Sequence, residues 1–280
     1  MNLMQIASRS RWRMGAPIAL ATLLVAATPA AAATYPSSIA STGDSITMAY
    51  NTGFFPYTDN ASASWSTGTN SSVSSLYSRL LVVNPAISGH KWNDAKTGAK
   101  IADLAGQMSS VVPQHPDAVT VLIGANDVCA SSEAAMTSVT DFEARFRSAM
   151  ATVAAGSPAT KVYVASIPNI YSLWSLYRGS SSARTVWSLF KICQSMLANP
   201  TSTSQADVDR RARVLQREQD YNAVFARVCA EYAQCRWDGD AVFTTAFTTA
   251  DVTTRDYFHP TIAGQKKLAA ATWGAWFTGP

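Results

Sequence analysis

The stretch Ala118-Val-Thr-Val-Leu-Ile123 is apolar at every position except Thr120, and most of its residues are β-branched. A short apolar run of this composition predicts a strand that is covered on both faces, as in a parallel sheet. Gly124-Ala-Asn-Asp127 follows at once, and these residue types favour a turn. We therefore predict a central parallel strand that ends in a polar turn.

Similar short runs alternate with longer amphipathic stretches on both sides of this strand. Such alternation predicts an α/β fold with a parallel sheet of about five strands and helices on its faces. The strands are expected at residues 38–42, 80–83, 118–123, 161–167 and 235–237. The helices are expected at residues 103–111, 141–155, 206–232 and 261–276.

The helix expected at residues 206–232 has an apolar stripe at three- and four-residue spacing, which predicts a buried face. That stripe consists of Val208, Ala212, Leu215, Ala226 and Cys229. Arg210, Arg211, Arg213 and Arg217 fall largely on the other faces. We expect these arginines to form a solvated surface.

The N-terminus has the composition of an export signal. Residues 1–33 contain Arg9, Arg11 and Arg13 and no acidic residue, and they continue into an apolar run and a stretch of alanines. This order predicts a secretory signal peptide that is cleaved near Ala33. The apolar run is too short for a membrane-spanning helix, which needs roughly 20 residues.

Cleavage changes the meaning of the composition. Residues 34–280 would form a single domain, and the 48% of hydrophobic residues suffices for one core. Three of the four surplus positive charges in the formal charge of +4 belong to residues 1–33. The charge balance therefore does not support a nucleic-acid partner, and we expect a secreted protein, extracellular or periplasmic.

All four cysteines lie in the predicted mature chain, and an oxidising compartment allows them to pair. Three pairings are possible. We favour Cys229 with Cys235, which are close in sequence, and Cys129 with Cys193, which would join two loops. The alternative, a zinc site, is disfavoured because the chain has no C-x-x-C motif and its three histidines are scattered. We expect neither a metal nor a cofactor.

Candidate catalytic residues lie at the ends of the chain. The first predicted strand runs into Ser41-Thr-Gly-Asp-Ser-Ile-Thr47, which places Ser45 at the carboxyl edge of the sheet, where ligands of open α/β sheets bind. A serine hydroxyl needs a base to become a nucleophile, and the base needs a group that orients it. In Asp256-Tyr-Phe-His-Pro260, the three-residue spacing lets Asp256 reach His259. We predict a Ser45–His259–Asp256 triad.

Acyl transfer also needs hydrogen-bond donors for the developing oxyanion. We expect three donors: the N–H of Ser45, the N–H of Gly89 in Asn84-Pro-Ala-Ile-Ser-Gly89, and the side-chain amide of Asn126. The acids beside the catalytic positions, Asp44 and Asp127, are expected to hold turns rather than to contact substrate.

In these segments the chain resembles the SGNH or GDSL hydrolase family. The blocks that carry the resemblance are Gly43-Asp-Ser-Ile46, Gly89, Gly124-Ala-Asn-Asp127 and Asp256-Tyr-Phe-His259. The resemblance implies a three-layer α/β/α sandwich of the flavodoxin-like type with five parallel strands. It also implies that Ser45 is the nucleophile, that His259 is the base, that Asp256 is its partner, and that Ser45, Gly89 and Asn126 form the oxyanion hole.

Two segments interrupt the alternation and carry aromatic residues among serines, threonines and asparagines. They are residues 51–75, with Phe54, Phe55, Tyr57 and Trp65, and residues 170–204, with Trp174, Tyr177, Trp187 and Phe190. These aromatic residues either pack the loops onto the body or line an apolar substrate pocket.

The chain is also similar to the phospholipase B-like branch of the family. Three stretches carry this narrower resemblance: Ser64-Trp-Ser-Thr-Gly68, the residues around Cys129, and Ile167-Pro-Asn-Ile170.

The sequence thus predicts a secreted serine esterase or lipase that forms an acyl-enzyme on Ser45. Two alternatives remain open: a carbohydrate O-acetyl esterase, and a binding protein on the same scaffold without turnover. The second is disfavoured because every catalytic position holds a chemically competent residue. As partners we expect a small-molecule or lipid ester, transient contact with a lipid surface and a monomeric chain.

Overall fold

A computed structural model of the protein describes Met1 and residues 35–278. The chain divides into two units, Met1–Thr34 and Tyr35–Pro280. Apart from Met1, the predicted signal peptide lies outside the described residues, so it stays a prediction. Among the helices of residues 35–278, none has both the length and the apolar character that a membrane crossing requires.

In the described part of the chain, five strands form one parallel sheet in the order β2-β1-β3-β4-β5. The strands are β1 (Ile39–Gly43), β2 (Lys91–Asn93), β3 (Ala118–Leu122), β4 (Lys161–Val164) and β5 (Cys235–Trp237). Every residue of β1 and β3 is buried, as expected for the centre of the sheet. In this strand order the chain changes direction between β1 and β3, and the crevice at their carboxyl ends is the usual ligand site.

The helices pack on both faces of this sheet. They are α1 (Leu76–Val83), α2 (Leu104–Val111), α3 (Ala125–Val128), α4 (Val139–Gly156), α5 (Ile170–Tyr177), α6 (Ser181–Leu189), α7 (Gln194–Leu197), α8 (Gln205–Cys229) and α9 (Ile262–Trp273). Helix α4 packs between α2 and α8, whereas α1 contacts α9. Because parallel crossovers are right-handed, these two groups lie on opposite faces. The α/β prediction is confirmed, and each of the four helices predicted from the sequence is present.

The strand predicted at residues 80–83 is wrong, because these residues form the last turn of α1. Ser75 caps the start of this helix, and its hydroxyl accepts a hydrogen bond from the Ser78 N–H at 3.1 Å. Its buried residues include Leu76 and Leu80, one helical turn apart, whereas Val82 is 82% exposed. The apolar run at the end of this helix, part of which is exposed, has the sequence pattern of a strand. The second strand of the sheet is β2, which has only three residues.

The buried stripe predicted for α8 is also largely wrong. Val208 is 42% exposed, and the buried face instead includes Arg211, Glu218 and Asn222 among apolar residues. The Arg211 guanidinium lies 4.5 Å from the ring centroid of Trp174, and the Glu218 carboxylate accepts the N–H of Ile170 at 3.2 Å. Burial raises the pKa of Glu218 well above its ordinary value. Arg211 and Glu218 are buried here because they attach the segment 170–204 to α8.

That segment folds into α5, α6 and α7. The aromatic residues singled out in the two irregular segments divide into two groups. Trp174, Tyr177 and Trp187 are buried, as is Trp65 in the other irregular segment, so these residues pack the segments onto the body. The second group is exposed and consists of Phe54, Phe55, Tyr57 and Phe190.

The structure contains the cysteine pairing favoured from the sequence. Cys129 is bonded to Cys193, which joins the end of α3 to the segment 170–204, and Cys229 is bonded to Cys235, which joins α8 to β5. All four sulfurs are therefore used. Within residues 35–278 no cluster of three or more histidine, cysteine or acidic side chains is arranged to hold a metal ion.

Candidate active site

The turn that carries Ser45 begins where β1 meets β3. Gly43 has a φ of +139°, and a Cβ on this residue would lie 2.1 Å from the carbonyl oxygen of Leu122. Only glycine fits this position. The side-chain amide of Gln107 accepts the Gly43 N–H at 2.7 Å and donates to the Gly43 carbonyl oxygen at 2.8 Å. At the other end of the turn, Gln265 donates to the carbonyl oxygen of Ile46 at 2.7 Å.

Ser45, His259 and Asp256 form one hydrogen-bonded row. The Oγ of Ser45 lies 2.8 Å from His259 Nε2, and His259 Nδ1 lies 2.8 Å from an Asp256 carboxylate oxygen, Oδ2. The three residues come from the two ends of the domain, and the structure brings them within hydrogen-bond distance of one another. In this arrangement the histidine can take a proton from the serine while the carboxylate holds the ring.

The Asp256 carboxylate is held by several donors. Its Oδ1 accepts the N–H groups of Phe258 and His259, each at 2.9 Å, and its Oδ2 also accepts the side-chain amide of Asn51. Burial by itself would raise the pKa of Asp256, but the hydrogen bonds and the charge of His259 hold it below its ordinary value. The group therefore stays ionised and can stabilise an imidazolium.

Asp44 directly precedes Ser45 in the serine turn and is fully buried. Its Oδ1 accepts the N–H of Ile46 at 2.9 Å, whereas Oδ2 has no hydrogen-bond partner within the described residues. Burial raises the pKa of Asp44 to about 7, against the opposing effects of the Ile46 N–H and the His259 charge. As the sequence suggested, the carboxyl group holds the turn.

A third loop reaches the same crevice from the end of β2. The side-chain amide of Asn126 donates to the carbonyl oxygen of Ala99 at 3.0 Å, and the Asp127 carboxylate accepts the N–H of Ile101 at 2.8 Å. These bonds hold the loop of Gly98, a residue that lines the crevice together with Ser45. Within residues 35–278 the N–H groups of Ser45 and Gly98 donate to no backbone acceptor.

Gly89 is not in this crevice. It precedes β2 and so lies at the amino ends of the strands, opposite the edge where Ser45 lies, and its N–H donates to the hydroxyl of Tyr77 at 3.1 Å. The error follows from the wrong strand at residues 80–83, which shifted the end of the second strand. Gly98 is the glycine at the correct edge, and its φ of +82° equals that of Gly89.

Other lining residues were not found from the sequence. The ring centroid of Tyr50 lies 4.9 Å from that of His259, and Phe258 and Ile192 line the same crevice. The Cys129–Cys193 disulfide also lines it, so the segment 170–204 forms part of the wall.

A second, narrow pocket adjoins the catalytic residues and is predominantly apolar. Ile46, Ala125 and Pro260, which line it, are the chain neighbours of Ser45, Asn126 and His259. Phe258 lines both this pocket and the catalytic crevice. The remaining walls come mainly from α5 and from the loop after β5, and include Leu173, Leu176 and Phe247.

An open α/β sheet of this order, with a Ser–His–Asp row at the point where the chain changes direction, is typical of serine hydrolases. The sequence model of the family described as "GDSL-like Lipase/Acylhydrolase" matches residues 39–272. The chain therefore belongs to the GDSL-like lipase/acylhydrolase family, whose members are carboxylic ester hydrolases.

Solved structures show the same fold at low sequence identity. TesA is 16% identical with a TM-score of 0.51, and the match covers 86% of this chain and 98% of TesA. An extracellular lipase from Streptomyces rimosus is 15% identical with a TM-score of 0.51, and the match covers 85% and 99%. Axe2, an acetyl-xylooligosaccharide esterase from a Geobacillus, is 18% identical with a TM-score of 0.51, and the match covers 85% and 93%. Among proteins of curated function, no sequence match was found.

Proposed function

We propose that the protein is a secreted ester hydrolase that forms an acyl-enzyme on Ser45. The observation that carries this proposal is the hydrogen-bonded row from Ser45 through His259 to Asp256, with two distances of 2.8 Å. The distances fall within the range in which a base and a nucleophile exchange a proton.

Each group in the crevice then has a defined task. Ser45 Oγ attacks the ester carbonyl while His259 Nε2 removes its proton, and Asp256 stabilises the imidazolium that forms. The N–H groups of Ser45 and Gly98 and the side-chain amide of Asn126 bind the oxyanion. His259 returns the proton to the leaving alcohol, and it later activates the water that releases the acid. Gly98 replaces Gly89 in this proposal.

The apolar pocket favours an ester with a hydrocarbon acyl chain. Its lining includes Ile46 and Ala125, the chain neighbours of Ser45 and Asn126, and its walls carry Leu173, Leu176 and Phe247. An acetyl group would leave most of this apolar surface in water, whereas a longer chain would bury it at about 0.8 kcal/mol per methylene. We therefore expect kcat/KM to rise with chain length until the pocket is filled.

A panel of p-nitrophenyl esters from acetate to palmitate tests this function, together with a phospholipid and an acetylated xylooligosaccharide. We expect a maximum above acetate and no activity in Ser45→Ala. A maximum on the acetylated sugar would favour the O-acetyl esterase instead. Activity that survives in Ser45→Ala would refute the mechanism, and folded protein that neither turns over an ester nor reacts with a fluorophosphonate would refute the hydrolase.

Export is part of the proposal. The two disulfides are supporting evidence because such bonds persist in oxidising compartments, and the composition of residues 1–33 supports a cleaved signal. Protein sequencing of the N-terminus after expression in a secreting host tests it. We expect the mature chain to begin near Thr34. The expected monomeric state and the contact with a lipid surface stay predictions.

A further inference from the structure

Five large apolar side chains project into solvent from the tips of the two irregular segments. Phe54 is 89% exposed, Phe55 69% and Tyr57 50%, and from the other segment Leu189 is 71% and Phe190 54% exposed. We call these four aromatic residues, together with Leu189, the aromatic rim. The rings of Tyr57 and Phe190 are in contact, with centroids 6.0 Å apart, so the two segments present one continuous surface. Contiguous exposed apolar surface of this kind marks an interaction site.

Both segments that carry the aromatic rim also contribute to the catalytic site. On one side, Asn51 begins the loop that carries Phe54 and donates a hydrogen bond to Asp256. On the other side, Ile192 lines the crevice two residues after Phe190. A surface that contacted the aromatic rim would therefore face the opening through which an ester reaches Ser45.

The loop that carries Phe54, Phe55 and Tyr57 is held in place by Arg255. The guanidinium of Arg255 donates to the carbonyl oxygens of Asn51 at 3.0 Å, Gly53 at 2.8 Å, Phe55 at 3.3 Å and Phe54 at 3.2 Å. Ordering an exposed loop costs conformational entropy, and rings that stay exposed to water gain no hydrophobic stabilisation that would offset this cost. This preorganisation lowers the cost of binding a partner through the rings.

The charges of the segment 170–204 indicate what that partner is. Residues 170–204 contain Arg178, Arg184 and Lys191 and no acidic residue, and Lys191 is exposed directly beside Phe190. Projecting aromatic side chains beside cations are the features that insert into the boundary of a membrane and attract anionic headgroups. A crevice that takes acyl esters would open onto the same surface.

We propose that the aromatic rim docks this protein on an anionic lipid surface, with the catalytic crevice facing the lipid. The benefit of docking rests on the proposed ester hydrolase, whereas the binding itself does not require turnover. Binding and catalysis can therefore be tested separately.

Co-sedimentation with vesicles tests the docking in the Ser45→Ala background, which removes turnover. One set of vesicles contains phosphatidylglycerol and phosphatidylcholine, and the other contains phosphatidylcholine alone. The variant Phe54→Ser/Phe55→Ser removes two exposed rings. Val82→Ser is the matched control, because Val82 is 82% exposed but belongs to α1, away from the crevice. Thermal unfolding of both variants checks that they are folded.

We expect the double variant to weaken binding to the anionic vesicles at least about tenfold, because each ring loses its burial. Val82→Ser should bind like the parent protein. Lys191→Ser should reduce the preference for anionic over neutral vesicles by about fivefold, the effect of one basic residue near a charged surface.

Three outcomes would overturn the docking proposal: no binding of the parent protein to anionic vesicles, equal binding of the double variant, or an equal loss in Val82→Ser. Self-association that the double variant abolishes, without vesicle binding, would assign the aromatic rim to contact with a second copy of the chain and would also overturn the docking proposal.

Hydrolysis of a soluble short ester by the Phe54→Ser/Phe55→Ser protein with Ser45 intact should be unchanged. If the parent protein bound vesicles but hydrolysed no ester, the function would fail while the docking proposal stood.

Discussion

Gly98 and Gly89 offer a matched pair of substitutions that tests the site. Both residues have a φ of +82°, and a Cβ at either position would meet no atom within 4 Å. Alanine therefore introduces the same backbone strain at both positions without a steric clash. The two positions differ in location, because Gly98 lines the catalytic crevice whereas Gly89 lies at the opposite edge of the sheet.

The expected effect on stability is the same for both variants. An L-residue in the left-handed region costs about 1–2 kcal/mol. For a domain of this size, that corresponds to a decrease in Tm of about 2–8 °C. Thermal unfolding followed by circular dichroism should therefore not distinguish Gly98→Ala from Gly89→Ala.

The expected effect on activity differs. Relaxation of the strained backbone at residue 98 would rotate its N–H away from the oxyanion, and the loss of one such donor typically lowers kcat by ~10²–10³. We expect kcat of Gly98→Ala to fall about 10²-fold with little change in KM, since the donor acts mainly on the transition state. Gly89→Ala should retain its kcat on p-nitrophenyl esters. Equal losses in both variants, or full activity in Gly98→Ala, would refute the assignment of Gly98.

Three further predictions concern groups around the crevice. Asn51→Leu removes a hydrogen-bond donor to the Asp256 carboxylate. It should lower kcat about tenfold in steady-state assays, because one hydrogen bond to a charged group contributes on that scale. An unchanged kcat would contradict a positioning role for Asn51. The pKa of Asp44, raised by burial to about 7, lies above its unfolded value, so its contribution to stability is complete below pH 4 and is lost as pH rises through 7. Urea unfolding between pH 4 and 8 should therefore show a smaller decrease for Asp44→Asn than for the parent protein. Replacing Cys129 and Cys193 by alanine opens a 64-residue loop and should cost about 4 kcal/mol in the chain-entropy estimate, measured by the same method.

Much of the fold could be predicted because it follows local periodicity. Strands β1, β3, β4 and β5 and the long helices were found from their apolar patterns, which differ in period between strand and helix. Strand β2 was missed because three residues at an edge carry no periodic signal. The stripe of α8 was misplaced because its buried face includes Arg211 and Glu218, whose partners belong to another segment.

The candidate site shows the same division between chemistry and tertiary context. Ser45, His259 and Asp256 could be predicted because few residue types perform proton transfer and nucleophilic attack, so their spacing and their place at strand ends are informative. A backbone donor has no such signature, since any residue carries an N–H. The choice between Gly89 and Gly98 therefore depended on the correct position of β2.

Side chains that position the serine turn were the least predictable. Gln107 binds both backbone groups of Gly43, and Gln265 donates to Ile46 while accepting the N–H of Trp65 at 3.0 Å. In sequence, each glutamine is an ordinary helix residue, and nothing but its distant partner distinguishes it. Because a side-chain amide both donates and accepts, it can satisfy a turn whose backbone groups have left the sheet ladder. The nucleophile thus rests on two helices, and substitution of either glutamine should disturb the geometry of Ser45 before it unfolds the domain.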